Sequence, residues 1–293
     1  MSNDHYIEFK KQRELGEILS DTFGFLRTQF KPFFNTFFKI VGPYLLVMII
    51  SLGFYFYSFR GVLAFNLESS NDAFSVILMV ISGFALFISA IAAYVMSQST
   101  VLHYIKSYTE GKGIIEFSDI KKNVYDSFWN FIGLGFLVGI SIMGGFLVCF
   151  FPGIYLYVPL MLTFSIMVFS QKGVGDAYQY SFTLIKDNWW ITFASLFVIG
   201  IIVTVAGYAF NLPASIYGWV KMGVFSGQVD GANIEGYFLD PIYILLNLIG
   251  SLVQFLLNLI TVIAGVLIYF NLNERKNFTG TFEKIGTLGQ TEE

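Results

Sequence analysis

The sequence predicts an all-α membrane protein of six transmembrane helices in three hairpins, each hairpin preceded by a cytoplasmic interfacial amphipathic helix. Three observations lead there. The chain runs from residue 127 to 171 without a charged side chain, and further uncharged runs cover 40–59, 73–105, 188–220 and 241–273. Runs of about 20 residues at 1.5 Å rise are long enough to cross a hydrocarbon core roughly 30 Å thick. Composition agrees, at 55% hydrophobic and 13% charged with a mean hydropathy of +0.66, against ~25% charged residues in an average soluble domain. Finally, the 17 Lys and Arg residues fall unevenly between the runs.

Residues 1–12 read as a cytoplasmic tail, 13–276 as a single six-span domain and 277–293 as a second cytoplasmic tail. The spans are placed at about 40–59, 75–98, 128–151, 154–171, 189–211 and 242–270. No short apolar core with a small-residue cleavage site precedes residue 40, so the first span is expected to direct insertion itself. As one helix, 127–171 would be about 68 Å long, more than twice the hydrocarbon thickness. It is therefore expected to fold back at Pro152-Gly153, where proline removes a backbone donor and glycine adopts turn conformations freely. Pro152, Gly153 and Pro159 are the candidate hinge. With that hairpin and both termini in the cytoplasm, only Arg60 and Lys221 lie outside, which matches the positive-inside bias. A single span would put six basic residues outside. Trp129, Trp189 and Trp190 then mark the cytoplasmic interface, and Tyr55, Tyr57, Tyr208 and Tyr217 the outer one.

Three approaches precede spans one, three and five. In 14–31, Leu15, Ile18, Leu19, Thr22, Leu26 and Phe30 recur at helical spacing, with Glu14, Glu17, Asp21 and Arg27 elsewhere, which predicts a helix lying in the interface. Segment 174–190 aligns with it, so that Glu17, Phe23, Arg27, Phe30 and Phe34 meet Asp176, Phe182, Lys186, Trp189 and Phe193. The middle copy, 118–131, is weaker but repeats the Asp126-Ser127-Phe128-Trp129 pattern of Asp187-Asn188-Trp189-Trp190.

Residues that carry chemistry are sparse. His5 and His103 are distant in sequence and do not make the gathered histidines and carboxylates of a hydrolytic or di-iron centre. Gly133-Leu134-Gly135 and Gly144-Gly145 lack the Lys-Ser or Lys-Thr of a phosphate loop. Gly135 and Gly139, like Ser89, Ala93 and Ser97, have the spacing for close helix packing. The lone Cys149 can form no intramolecular disulfide and reads as a small buried hydrophobe. The outer segment 212–240 carries Gly218, Gly223, Gly227, Gly231 and Gly236 with Asp230, Glu235 and Asp240, in a spacing that matches no calcium loop. No catalytic residue, cofactor or metal site is therefore expected. Net charge is −3 without a polybasic cluster, which gives no reason to expect nucleic acid.

The candidate site is a neutral polar stripe in span six. Asn247, Ser251, Gln254, Asn258 and Thr261 are spaced 4, 3, 4 and 3 and fall within an arc of about 80° on a helix. Such a stripe either bonds neighbouring helices or lines a groove for a substrate or lipid headgroup. No ionisable group lies at membrane depth; Lys39, at the start of span one, is placed to snorkel.

Four stretches together resemble a known family. They are Arg13-Glu14-Leu15-Gly16-Glu17-Ile18-Leu19-Ser20-Asp21-Thr22-Phe23 with Lys31-Pro32-Phe33-Phe34; Phe151-Pro152-Gly153-Ile154-Tyr155-Leu156; Asp176-Ala177-Tyr178 through Ser181 and Lys186 to Trp189-Trp190; and Ile268-Tyr269-Phe270-Asn271-Leu272-Asn273-Glu274-Arg275-Lys276. This set resembles the membrane-domain family found beside some glycerophosphoryl diester phosphodiesterases and in stand-alone bacterial six-span proteins of unknown role. The chain departs from it at Asn271 and Asn273, where the family usually carries an acid and an arginine. The resemblance implies a multi-pass protein of the bacterial inner membrane with both termini cytoplasmic. It supplies no activity, since the phosphodiesterase chemistry belongs to a separate domain. The expected function is that of a non-enzymatic accessory or scaffold component whose partners are membrane lipids and other membrane subunits. The alternative is a permease or lipid-handling protein that uses the span-six stripe.

Overall fold

A computed structural model describes residues 6–63, 72–225, 227 and 240–288. Among these residues the structure is all helical, with no strand. The helices are α1 (Leu15–Leu63), α2 (Asp72–Glu110), α3 (Phe117–Asp126), α4 (Phe128–Val148), α5 (Phe150–Leu160), α6 (Thr163–Phe169), α7 (Val174–Ile185), α8 (Trp189–Lys221), α9 (Pro241–Asn277) and α10 (Thr279–Leu288). Six helical stretches are long and apolar enough to cross a membrane, the fourth being α5 with α6. The chain is thus a multi-pass α-helical membrane protein. Three antiparallel pairings dominate: α1 with α2, α4 with α5, and α8 with α9.

The core lies where the ends of these hairpins meet the N-terminal segment. Phe9, Phe25, Phe33, Tyr104, Tyr108 and Phe270 are buried together. Phe25 meets Tyr108 edge-on at 5.2 Å between ring centroids, Phe33 meets Tyr104 at 5.1 Å, and Phe9 bridges Phe25 and Phe270 at 5.4 and 5.8 Å. Such edge-to-face pairs add about 0.5–1.5 kcal/mol each beyond area burial. Away from this end the helices turn large apolar side chains outward, among them Leu46, Ile50 and Phe54 on α1 and Phe84, Phe87 and Ile88 on α2. An outward apolar surface of that extent is stable only against hydrocarbon.

The first approach is not a helix separate from span one. Residues 14–31 continue into it as the 49-residue α1, with Pro32 and Pro43 inside. At 1.5 Å per residue α1 measures about 73 Å. Of the apolar face expected to lie in the interface, Ile18 and Thr22 are buried, Leu15, Leu19 and Leu26 half-buried and Phe30 exposed, while Phe25, Phe33 and Phe37 are buried against α2 and the N-terminal segment. Protein contact on that face holds the helix together across both prolines. The other two approaches are separate helices, α3 with Ile120 and Val124 buried and α7 with Ala177, Ser181, Leu184 and Ile185 buried.

The reversal in the middle hairpin also falls earlier than expected. The chain breaks at Cys149, whose extended backbone (φ −169°, ψ 158°) separates α4 from α5. Pro152 stands in the first turn of α5, where a missing N–H removes no helical bond. Gly153 is needed for a different reason than turn freedom. A Cβ there would lie 2.5 Å from the Phe146 ring, and one on Gly145 would lie 3.1 Å from Gly153 Cα. Pro159 precedes a second break at Met161 and Leu162, which splits the expected fourth span into α5 and α6. Cys149 is exposed at the reversal, not buried.

Candidate functional site

The stripe residues lie on α9, and the structure divides them. Asn247, Gln254 and Thr261 are half-buried, while Ser251 and Asn258 are exposed. Gln254 packs into the gap left by Gly207 of α8, where a Cβ would lie 1.5 Å from Gln254 Oε1. One turn away the arrangement is reversed: Asn211 of α8 occupies the gap at Gly250 of α9, where a Cβ would lie 2.3 Å from Asn211 Oδ1. Each helix thus contributes a glycine and, four residues later, an amide, and antiparallel pairing places each amide on the opposing glycine. Asn211 Nδ2 also donates to the Gly207 carbonyl at 2.9 Å, and Asn247 Nδ2 to the Tyr243 carbonyl at 3.0 Å. The sequence reading did not single out Gly207, Asn211 or Gly250, although the repeated Gly-x-x-x-amide spacing on two antiparallel spans was there to be read.

At the far end of the same pair, Asp240 caps α9. Its Oδ1 accepts from the Ile242 and Tyr243 amides at 2.9 and 3.4 Å, and its carboxylate meets Tyr217 Oη at 3.0 Å and Lys221 Nζ at 3.0 Å. The Lys221 hydrogen bond is the main reason its pKa falls to about 2. Asp230 and Glu235, the other acids of the expected outer segment, lie outside the described residues.

A polar knot at the opposite end was not anticipated. Arg13 is buried, with Nε 2.9 Å from Asp21 Oδ2, Nη1 donating to the Phe9 carbonyl at 2.7 Å and Nη2 to the Glu8 carbonyl. Burial pushes its guanidinium pKa down, and Asp21 opposes that shift. The Arg13 backbone N–H donates to Asn271 Oδ1 at 2.8 Å, and Arg275 Nε reaches the same oxygen at 3.3 Å. Position 271 therefore needs an acceptor for two donors, and a neutral amide oxygen provides one. Glu274, also buried, receives the Gly280 N–H and the Thr279 hydroxyl and so caps α10.

Apolar space lies between the hairpins. A groove of about 640 Å³ separates α2 from α4, with Ala90, Gly135, Gly139 and Phe164 in its walls and Tyr94 and Gln98 as its polar members. Gln98 Nε2 donates to Tyr94 Oη at 3.0 Å. Gly135 and Gly139, expected at a tight helix contact, line this groove, and a Cβ on Gly139 would meet nothing within 4 Å. Ser89, Ala93 and Ser97 are buried, as close packing requires. A second groove, of about 450 Å³, lies between α5 and α8 and includes Tyr157, Phe193, Gly200 and Thr204.

Reactive groups are engaged locally. His103 Nδ1 lies 2.9 Å from the Ser99 carbonyl, and Ser99 Oγ is 3.0 Å from Ser127 Oγ. His5 lies outside the described residues. Among the described residues, no three His, Cys, Asp or Glu side chains are grouped to hold a metal ion. What the arrangement offers is a set of interlocked helices with apolar grooves between them, suited to contact with acyl chains or other helices. No family model, curated protein or solved structure matches the chain.

Proposed function

We propose that the protein is a non-enzymatic accessory or scaffold component of a bacterial inner membrane, with cytoplasmic termini, working by packing against lipid and partner membrane subunits. The observation that carries this reading is the interlock of Gly207 with Gln254 and of Gly250 with Asn211. It commits Gln254 and Asn211 to helix–helix contact, while apolar grooves lie open between other helices. The resemblance to the phosphodiesterase-associated membrane domains supports the setting. Lipid handling is the second reading, and the exposed Ser251 and Asn258 favour it.

Purification from native membranes, with copurifying proteins and lipids identified, tests the proposal. The accessory reading expects a reproducible protein partner and liposomes that show neither solute flux nor lipid transfer. Flux or transfer in liposomes that contain the purified chain alone would replace it with the second reading.

A further inference from the structure

The α4–α5 hairpin reverses on an apolar tip that sits close in depth to its own base. Trp189 marks that base: Lys186 and Asp187 precede it in sequence, and Lys276, at the charged end of α9, donates to the Thr183 carbonyl at 2.7 Å. Tyr155 of α5 stacks on Trp189 at 5.6 Å and 17°, and the indole N–H donates to the Tyr155 carbonyl at 3.3 Å. From Tyr155 back to Cys149 the chain climbs only six residues, about 9 Å of helix, against a hydrocarbon core of about 30 Å.

The other arm gives the same answer independently. Ser141 Oγ of α4 lies 2.9 Å from Tyr178 Oη of α7, and eight residues, about 12 Å of helix, separate Ser141 from the reversal. Helix α7 belongs to the charged end as well, since Asn277 Nδ2 donates to Tyr180 Oη at 2.9 Å and Lys172 Nζ lies over the Tyr180 ring. Both arms thus contact residues of the charged end within about 12 Å of helix from the reversal.

The tip itself suits hydrocarbon. Leu147, Val148, Phe150 and Phe151 are 80%, 82%, 65% and 77% exposed, with Cys149 exposed between them. A turn in water between two crossing helices would leave that surface wet. At the reversal the Cys149 N–H donates to the Gly145 carbonyl at 3.1 Å, the Gly153 N–H approaches the Cys149 carbonyl at 3.5 Å, and Pro152 brings no donor.

We infer that the α4–α6 hairpin is a re-entrant wedge, which enters and leaves by the cytoplasmic face and lodges its Phe146–Phe151 tip among the acyl chains of a single leaflet. The pattern of Lys and Arg is unchanged by this arrangement, because both ends of the hairpin remain on one side whether or not the tip crosses. The wedge makes the hydrocarbon of one leaflet the hairpin's partner. It names the lipid contact of the proposed function and rests on that reading only for its setting.

Cys149 is the only cysteine in the chain and reports on the tip without substitution. Intact cells are treated with an impermeant maleimide, with Ser226→Cys in a Cys149→Ser background as the outer-face control. Native Cys149 is then labelled with bimane in detergent, and the protein is reconstituted in phosphatidylcholine vesicles brominated at either mid-chain or near-headgroup carbons. The wedge predicts no labelling of Cys149 from outside, and bimane quenching several-fold stronger with the mid-chain bromines than with the near-headgroup ones. Labelling of Cys149 from outside to the level of the Ser226→Cys control, or stronger quenching by the near-headgroup bromines, would overturn it. Neither result touches the accessory reading, which copurification and the liposome assays decide separately.

Discussion

Gln254 of α9 occupies the space a side chain at Gly207 of α8 would need, its Oε1 lying 1.5 Å from where a Cβ would be. Gly207→Leu should therefore destabilise the protein by about 1–3 kcal/mol, the usual cost of overpacking. Gln254→Ala opens the gap from the other side. Because the two residues touch, Gly207→Ala combined with Gln254→Ala should cost less than the sum of the single changes. Thermal melts of all four proteins in one detergent check this. Additive losses would mean the two residues do not form a unit.

The knot at Arg13 makes a second prediction. Asn271→Leu leaves the buried Arg13 N–H without its acceptor and should cost about 1–3 kcal/mol, whereas Asn271→Asp keeps an acceptor facing Arg13 and Arg275 and should be tolerated. Equal melting temperatures for the Leu and Asp variants would show that the acceptor does not matter.

Much of this architecture was legible in the sequence because a charge-free run of sufficient length has few alternatives to a membrane-spanning helix. The uncharged stretches placed the helical segments. The reversal at Cys149 was misplaced by three residues because proline ends a helix in its interior but is welcome in its first turn. Continuity of α1 depends on Phe25 and Phe33 finding Tyr104 and Tyr108, contacts some 70 to 80 residues away that local periodicity does not encode. The stripe was visible as an angle on one helix, but which helix it faced depended on Gly207 and Gly250, whose role appears only when both spans are aligned antiparallel. Arg13 read as one cytoplasmic charge among fifteen, and nothing local distinguished it as buried.

Asp240 gives a pH dependence. Its pKa is depressed to about 2, chiefly by the Lys221 hydrogen bond, so its contribution to holding the Lys221 end of α8 and the start of α9 together is fully present above its ordinary value near 3.8 and is lost as pH falls through about 2. Melting temperature should drop between pH 4 and 2 in the native protein, with a smaller drop in Asp240→Asn. An identical pH profile for the two would remove Asp240 from the account.

The topology can be read with introduced cysteines in a Cys149→Ser background. Positions Ser69 and Ser226, which lie outside the described residues, should label from outside intact cells with an impermeant maleimide, and Ser118 and Thr287 should not. Labelling at Ser118 in sealed cells would contradict cytoplasmic placement of α3.

The central claim is that the span-six stripe serves contact between helices, and Gln254→Leu tests it most directly when melting temperature and bound lipid are measured on the same sample. The account predicts a lower melting temperature, because Gln254 is the side chain that fills the Gly207 gap, with the bound-lipid complement unchanged. An unchanged melting temperature with loss of bound lipid would contradict it and make the stripe a binding groove.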